Sequence, residues 1–163
     1  MAVKKSAIYS ALWKSCDELR GSMDASQYKD YVLVMLFWKY ISDKQKSDPY
    51  AIKVPKGCSF DDIAKLKNQV GIGDQLNKKL EVIAKVYHLG IGFFSNADFN
   101  NEDKLGKGKD LVDTVSNLIA IFQKPELDFS SNRAADDDLI GDAYEYLMRN
   151  FATQSGKSKG QFY

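Results

Sequence analysis

Apolar residues return at helical intervals through most of the chain. Ile8, Leu12, Cys16 and Leu19 lie three or four positions apart, and Ala7, Ala11 and Trp13 widen their stripe. The pattern predicts a first helix over about residues 4–20, closed by Gly21. Asp24 with Gln27 three positions on has the form of a helix-capping box and predicts a second helix running to about Lys44. Its middle, Tyr31-Val-Leu-Val-Met-Leu-Phe-Trp38, is apolar on every side, as expected of a helix at the centre of a bundle.

Pro49, Pro55 and Gly57 predict an irregular connection over 45–57, because a helix interior accommodates neither residue type well. Ser59 with Asp62 is a second capping signature, followed by a short stripe of Ile63, Leu66 and Val70. Gly71 and Gly73 are expected to end that helix and Asp74 to open the next, whose Leu76, Leu80, Ile83 and Tyr87 share one face. The stretch 89–109, rich in Gly, Asn and Asp, reads as a long loop anchored by Phe93 and Phe94. Asp110 with Asp113 then predicts a helix carrying Leu111, Val115, Leu118, Ile119 and Phe122, stopped by Pro125. Asp136, Asp137 and Asp138 precede a last helix with Ile140, Ala143, Tyr144, Leu147 and Phe151 on its buried side.

No segment alternates as a strand does. The expectation is an all-α fold, an irregular bundle of about six helices with long loops, that ends in a polar, basic, linker-like stretch. Two cysteines far apart and an N-terminus without an apolar core fit a reducing cytoplasm. The longest apolar run is 8 residues, too short to span a bilayer.

Charge narrows the function. The net charge of +1 excludes a strong stand-alone nucleic-acid binder, although residues 1–60 carry 10 Lys and Arg against 6 Asp and Glu. Any DNA contact is expected to be local. Lys104, Lys107 and Lys109, set among Gly106 and Gly108 ahead of a helix, offer ammonium groups and amides to a phosphate; the competing reading is a solvated loop. Lys157 and Lys159 add positive charge near the C-terminus. His88 is the single histidine and reads as a helix-end residue, so no His-based metal cluster or triad is expected. Gly71-Ile-Gly73 and Gly90-Ile-Gly92 begin like dinucleotide loops but have no preceding strand and no third glycine. The three adjacent aspartates at 136–138 suit helix capping better than a cation, and most aromatics lie in helical stripes as core. The residues alone therefore compose no complete active site.

Three stretches together carry a resemblance. Leu12-Trp13 with Asp17-Glu-Leu-Arg-Gly-Ser-Met-Asp24, followed by Tyr31 to Asp43, resembles the opening two helices of the modification (M) subunit of bacterial type I restriction-modification systems. Asp138-Leu-Ile-Gly-Asp-Ala-Tyr-Glu-Tyr-Leu-Met-Arg-Asn-Phe-Ala152 resembles the helix leading into that family's catalytic domain. Gly160-Gln-Phe-Tyr163 resembles the start of the element at the entrance to the S-adenosylmethionine pocket of adenine DNA methyltransferases.

The resemblance implies a site-specific, S-adenosylmethionine-dependent methyl transfer to the exocyclic amine of adenine in duplex DNA, with the base flipped from the stack. It implies an assembly with a specificity (S) subunit, a second M subunit and a restriction subunit. It further implies that Gly160, Gln161, Phe162 and Tyr163 line one edge of the cofactor pocket. The family's glycine-bearing cofactor loop, its Asn-Pro-Pro-Phe catalytic loop and the α/β domain that holds them would lie downstream. On that expectation 1–152 is the N-terminal helical domain, 153–163 is the linker and first catalytic-domain residues, and the chain by itself is inactive. The rival expectation is a free-standing helical module that binds a protein partner.

Overall fold

The computed structural model describes residues 25–47, 53–89 and 97–128, together with residues 13 and 94. Within them lie five α-helices and one 3-10 turn, with no strand. They are α1 (Ala25–Ser47), α2 (Phe60–Ala64), α3 (Ile72–Val86), α4 (Glu102–Leu105) and α5 (Lys109–Ile121), with the turn at Pro125–Leu127. The expected helices over about 4–20 and from Asp136 to Phe151 lie outside the described residues, apart from Trp13, which packs against the core.

The central helix is α1. Tyr31, Val32, Met35, Leu36, Trp38 and Ile41 are buried, and Leu33, Val34, Phe37 and Tyr40 are partly buried against the same core. Such all-round burial removes the need for a polar face and explains the uninterrupted apolar run. It also forces every polar tip on α1 to find a partner inside the protein. The Tyr31 hydroxyl donates to the Asp98 carbonyl at 2.8 Å, and the Trp38 indole N–H donates to the Cys58 carbonyl at 2.7 Å. The Ser42 hydroxyl oxygen accepts from the Phe60 amide at 2.8 Å. Lys39 Nζ donates to Asp43 Oδ2 at 2.6 Å and to the Leu127 carbonyl at 2.8 Å, and it lies 5.8 Å from the centre of the Phe60 ring. Four side chains of one helix thus fasten three separate connections.

The other elements close around this helix. Ser59 forms the expected capping box: its hydroxyl accepts from the Asp62 amide while Asp62 Oδ2 accepts from the Ser59 amide and hydroxyl. Those two donors hold the Asp62 carboxyl below the usual carboxylate range. On α3 Leu76, Leu80 and Ile83 are buried, and on α5 Leu111, Val115, Leu118 and Ile119 are, so both predicted stripes face the core. Helix α5 packs against α2, α3 and α4, while α2 also packs against α1.

The structure corrects the expected helix break at Gly71 and Gly73. Gly71 is the N-cap of α3, and Gly73 lies buried inside its first turn. A Cβ on Gly73 would sit 2.2 Å from the Phe99 carbonyl oxygen, so this glycine is required by the close approach of the 97–100 loop and not by a chain break. Val70 leaves its expected stripe: it is 96% exposed, because the chain turns outward after α2. The predicted loop 89–109 contains the short helix α4, begun by Asn101, whose side chain accepts from the Lys104 amide. Phe94 does anchor this stretch, 5.9 Å from the Phe37 ring. The deeper anchor is Phe99, fully buried and edge-on to Tyr31 at 5.2 Å.

Gly73→Ala is expected to cost about 1–3 kcal/mol, since the Phe99 backbone must yield, and urea unfolding would measure it. A second expectation concerns alkali. Burial first, then the negative Asp98 and Asp30, push the Tyr31 hydroxyl up to about 12 from its ordinary 10.0. The folded state therefore holds this proton more tightly than the unfolded chain does. The stabilisation is complete below pH 10 and is lost as pH rises from about 10 through 12. Tyr31→Phe should flatten that part of the stability–pH curve relative to the unsubstituted chain.

Candidate nucleic-acid interface

The described part of the lysine cluster spans the junction between α4 and α5. Asn101 caps α4, Gly106 ends it at φ +94°, and Gly108 precedes α5 at φ +55°. Gly106 needs its freedom twice over, because a Cβ there would also meet Asp110 Cβ at 2.7 Å. No side chain caps the first turn of α5. The junction is therefore a tight, backbone-rich corner in which Lys104 is half-buried while Lys107 and Lys109 are exposed.

Electrostatics temper the corner. Lys109 Nζ pairs with Asp113 at 3.0 Å, both side chains being largely solvated. Glu102, Asp103, Asp110 and Asp113 outnumber the three lysines between 102 and 113. This is a mixed surface and not a basic groove, and it can contribute a few phosphate contacts at most. Lys157, Lys159 and the candidate cofactor residues Gly160, Gln161, Phe162 and Tyr163 lie outside the described residues.

The other chemically notable residues serve the fold. His88 is exposed just past the end of α3 with φ +56°, and its amide donates to the Lys85 carbonyl, so it closes the helix as expected. Cys58 is a buried free thiol, pushed up by desolvation and by Asp62 against the opposing pull of Lys79, and a thiol so held is no nucleophile. Among the described residues no group of three His, Cys, Asp or Glu side chains can hold a metal ion. None of the described helices is long and apolar enough to cross a membrane. Sequence reasoning missed the buried Lys39–Asp43 pair and also Asn77, which accepts from the Phe99 amide and donates to Asp98. The available signal was a lysine and an aspartate four apart, directly after the apolar run of Tyr31 to Trp38.

Comparison with known proteins decides the family. The family described as HsdM N-terminal domain matches residues 8–122, most of the chain. The chain belongs to this HsdM N-terminal domain family. Further along the chain, the family described as N-6 DNA Methylase matches residues 135–163. The type I restriction enzyme MpnII methylase subunit of Mycoplasma pneumoniae is 27% identical, over 98% of this chain and 37% of its own length. The crystal structure of the type I restriction-modification system methyltransferase subunit from Streptococcus thermophilus superposes with a TM-score of 0.75 at 27% identity, over 94% of this chain and 40% of that one. The HsdM N-terminal domain thus accounts for the all-α fold, and the pairing of two families in order does not favour the free-standing module. The chain spans well under half the length of either relative.

Proposed function

We propose that the chain acts as the N-terminal helical domain of a type I restriction-modification methylase subunit, found in the cytoplasm. The intact subunit transfers a methyl group from S-adenosylmethionine to the exocyclic amine of adenine in duplex DNA. The observation that carries this reading is the order of the two family matches, HsdM N-terminal domain over 8–122 and N-6 DNA Methylase over 135–163. In this reading the described helices assemble with the specificity subunit, a second methylase subunit and the restriction subunit, and help enclose the DNA.

The described residues do not fit S-adenosylmethionine. They contain no strand from which a cofactor-holding sheet could be built. The space beside Gly73 is filled by the Phe99 carbonyl, so Gly71-Ile-Gly73 is no cofactor loop. On the proposed reading the edge of the cofactor site falls on Gly160, Gln161, Phe162 and Tyr163, and DNA-backbone contacts fall on Lys104, Lys107, Lys109, Lys157 and Lys159.

Three outcomes test it. A methylase assembly lacking residues 1–152 should lose DNA methylation and regain part of it when this domain is supplied in trans. The 163-residue chain alone should show no heat of S-adenosylmethionine binding in calorimetry; tight binding would contradict the division of labour. Lys104→Ala, Lys107→Ala and Lys109→Ala together should weaken DNA binding by the whole assembly and lower its salt slope by about one for each phosphate no longer neutralised. An unchanged affinity and slope would return the corner to a solvated loop.

A further inference from the structure

The buried amine of Lys39 is the feature that the family assignment leaves unused. Its side chain is 11% exposed and that of Asp43 is 5% exposed, so both charges have been taken out of water. An ion pair needs only two partners, yet Lys39 Nζ makes a further bond to the Leu127 carbonyl, 88 positions away. Leu127 is fully buried and closes the 3-10 turn Pro125–Leu127, whose Leu127 and Asp128 amides donate to the Lys124 and Pro125 carbonyls. That turn falls between the end of the HsdM N-terminal domain match at 122 and the start of the N-6 DNA Methylase match at 135.

A turn at such a junction could be held by apolar packing alone. Here it is also held by an ammonium donor from the centre of the bundle, and a bond from a charged donor is directional in a way that apolar contact is not. Lys46, further along α1, pairs with Asp61 at 2.8 Å on the surface, and Asp61 first, then Asp43 and Asp128, raise its affinity for a proton. We propose that Lys39 is a positioning residue that fixes the point at which the chain passes from the helical domain to the methylase segment. The end of the described chain is thereby tied to the central helix. This inference rests on the reading of 135–163 as the methylase segment.

The test uses the intact methylase subunit assembled with its specificity subunit, and two variants that separate anchoring from stability. Lys39→Met with Asp43→Leu removes both charges of the pair at similar volume. It leaves the Leu127 carbonyl without the Lys39 donor, so it should melt below the parent, exchange the Asp128 amide about tenfold faster or more, as loss of a charged hydrogen bond predicts, and turn over more slowly at unchanged KM for S-adenosylmethionine. Asp43→Asn keeps the Lys39 bond to Leu127 while weakening the pair. It should melt lower, yet leave the Asp128 amide protected and the turnover at the parent value.

Unchanged exchange and turnover in the double variant would overturn the proposal, as would an Asp43→Asn variant whose junction loosens equally. Should the double variant fail to fold, exchange in the parent assembly decides. Leu127 and Asp128 amides protected to the level of α1 support the anchor, and exchange at the rate of an exposed loop overturns it. A parent assembly that methylates no DNA would refute the methylase reading itself, while the exchange measurements would still report on the anchor.

Discussion

The middle of α1 is packed into the core, where a polar atom cannot be left unmatched, and it carries several there. Tyr31, Trp38, Lys39 and Ser42 resolve this by reaching past their own helix to backbone groups of Asp98, Cys58, Leu127 and Phe60. Backbone groups in connections are otherwise satisfied by water. Here the central helix replaces that water at four points, so the connections inherit its rigidity. The buried amine is the extreme case. Lys39 would be a severe liability if Asp43 or the Leu127 carbonyl were displaced, and the surrounding core is committed to keeping both in place.

Much of this architecture was legible in the sequence where the responsible interactions are local. The apolar girth of α1, the faces of α3 and α5 and the Ser59–Asp62 cap each follow from residues a few positions apart. What escaped reading depends on distant partners. Gly73 looked like punctuation because its real reason, the Phe99 carbonyl, comes 26 positions later. Val70 fitted an apolar stripe by spacing, but the chain turns outward before reaching it. Helix α4 is a single turn held by Asn101 and by packing of Leu105, too short for periodicity to register. Lys39 only flanks the apolar run in sequence, and its bond to Leu127, 88 positions away, is visible only in the fold.

The functional surface was less legible, for a related reason. A row of lysines reads as basic until the acidic residues beside it are counted with them, and Lys109 is already paired with Asp113. On the proposed reading, function is distributed over an assembly. A single helical domain therefore displays only a fraction of any site, and its near-neutral charge is consistent with sharing the duplex with other protein. The match of two families in sequence says more about the role of the chain than any one side chain on its surface.

The fastening of Asp98 and Phe99 to Tyr31 and Asn77 sets where the second half of the described fold begins. Because the chain is gripped at 97–100, α4 and α5 start from a point already fixed to the central helix and to α3. The pinned residues act as a breakwater behind which the second half of the bundle keeps its register.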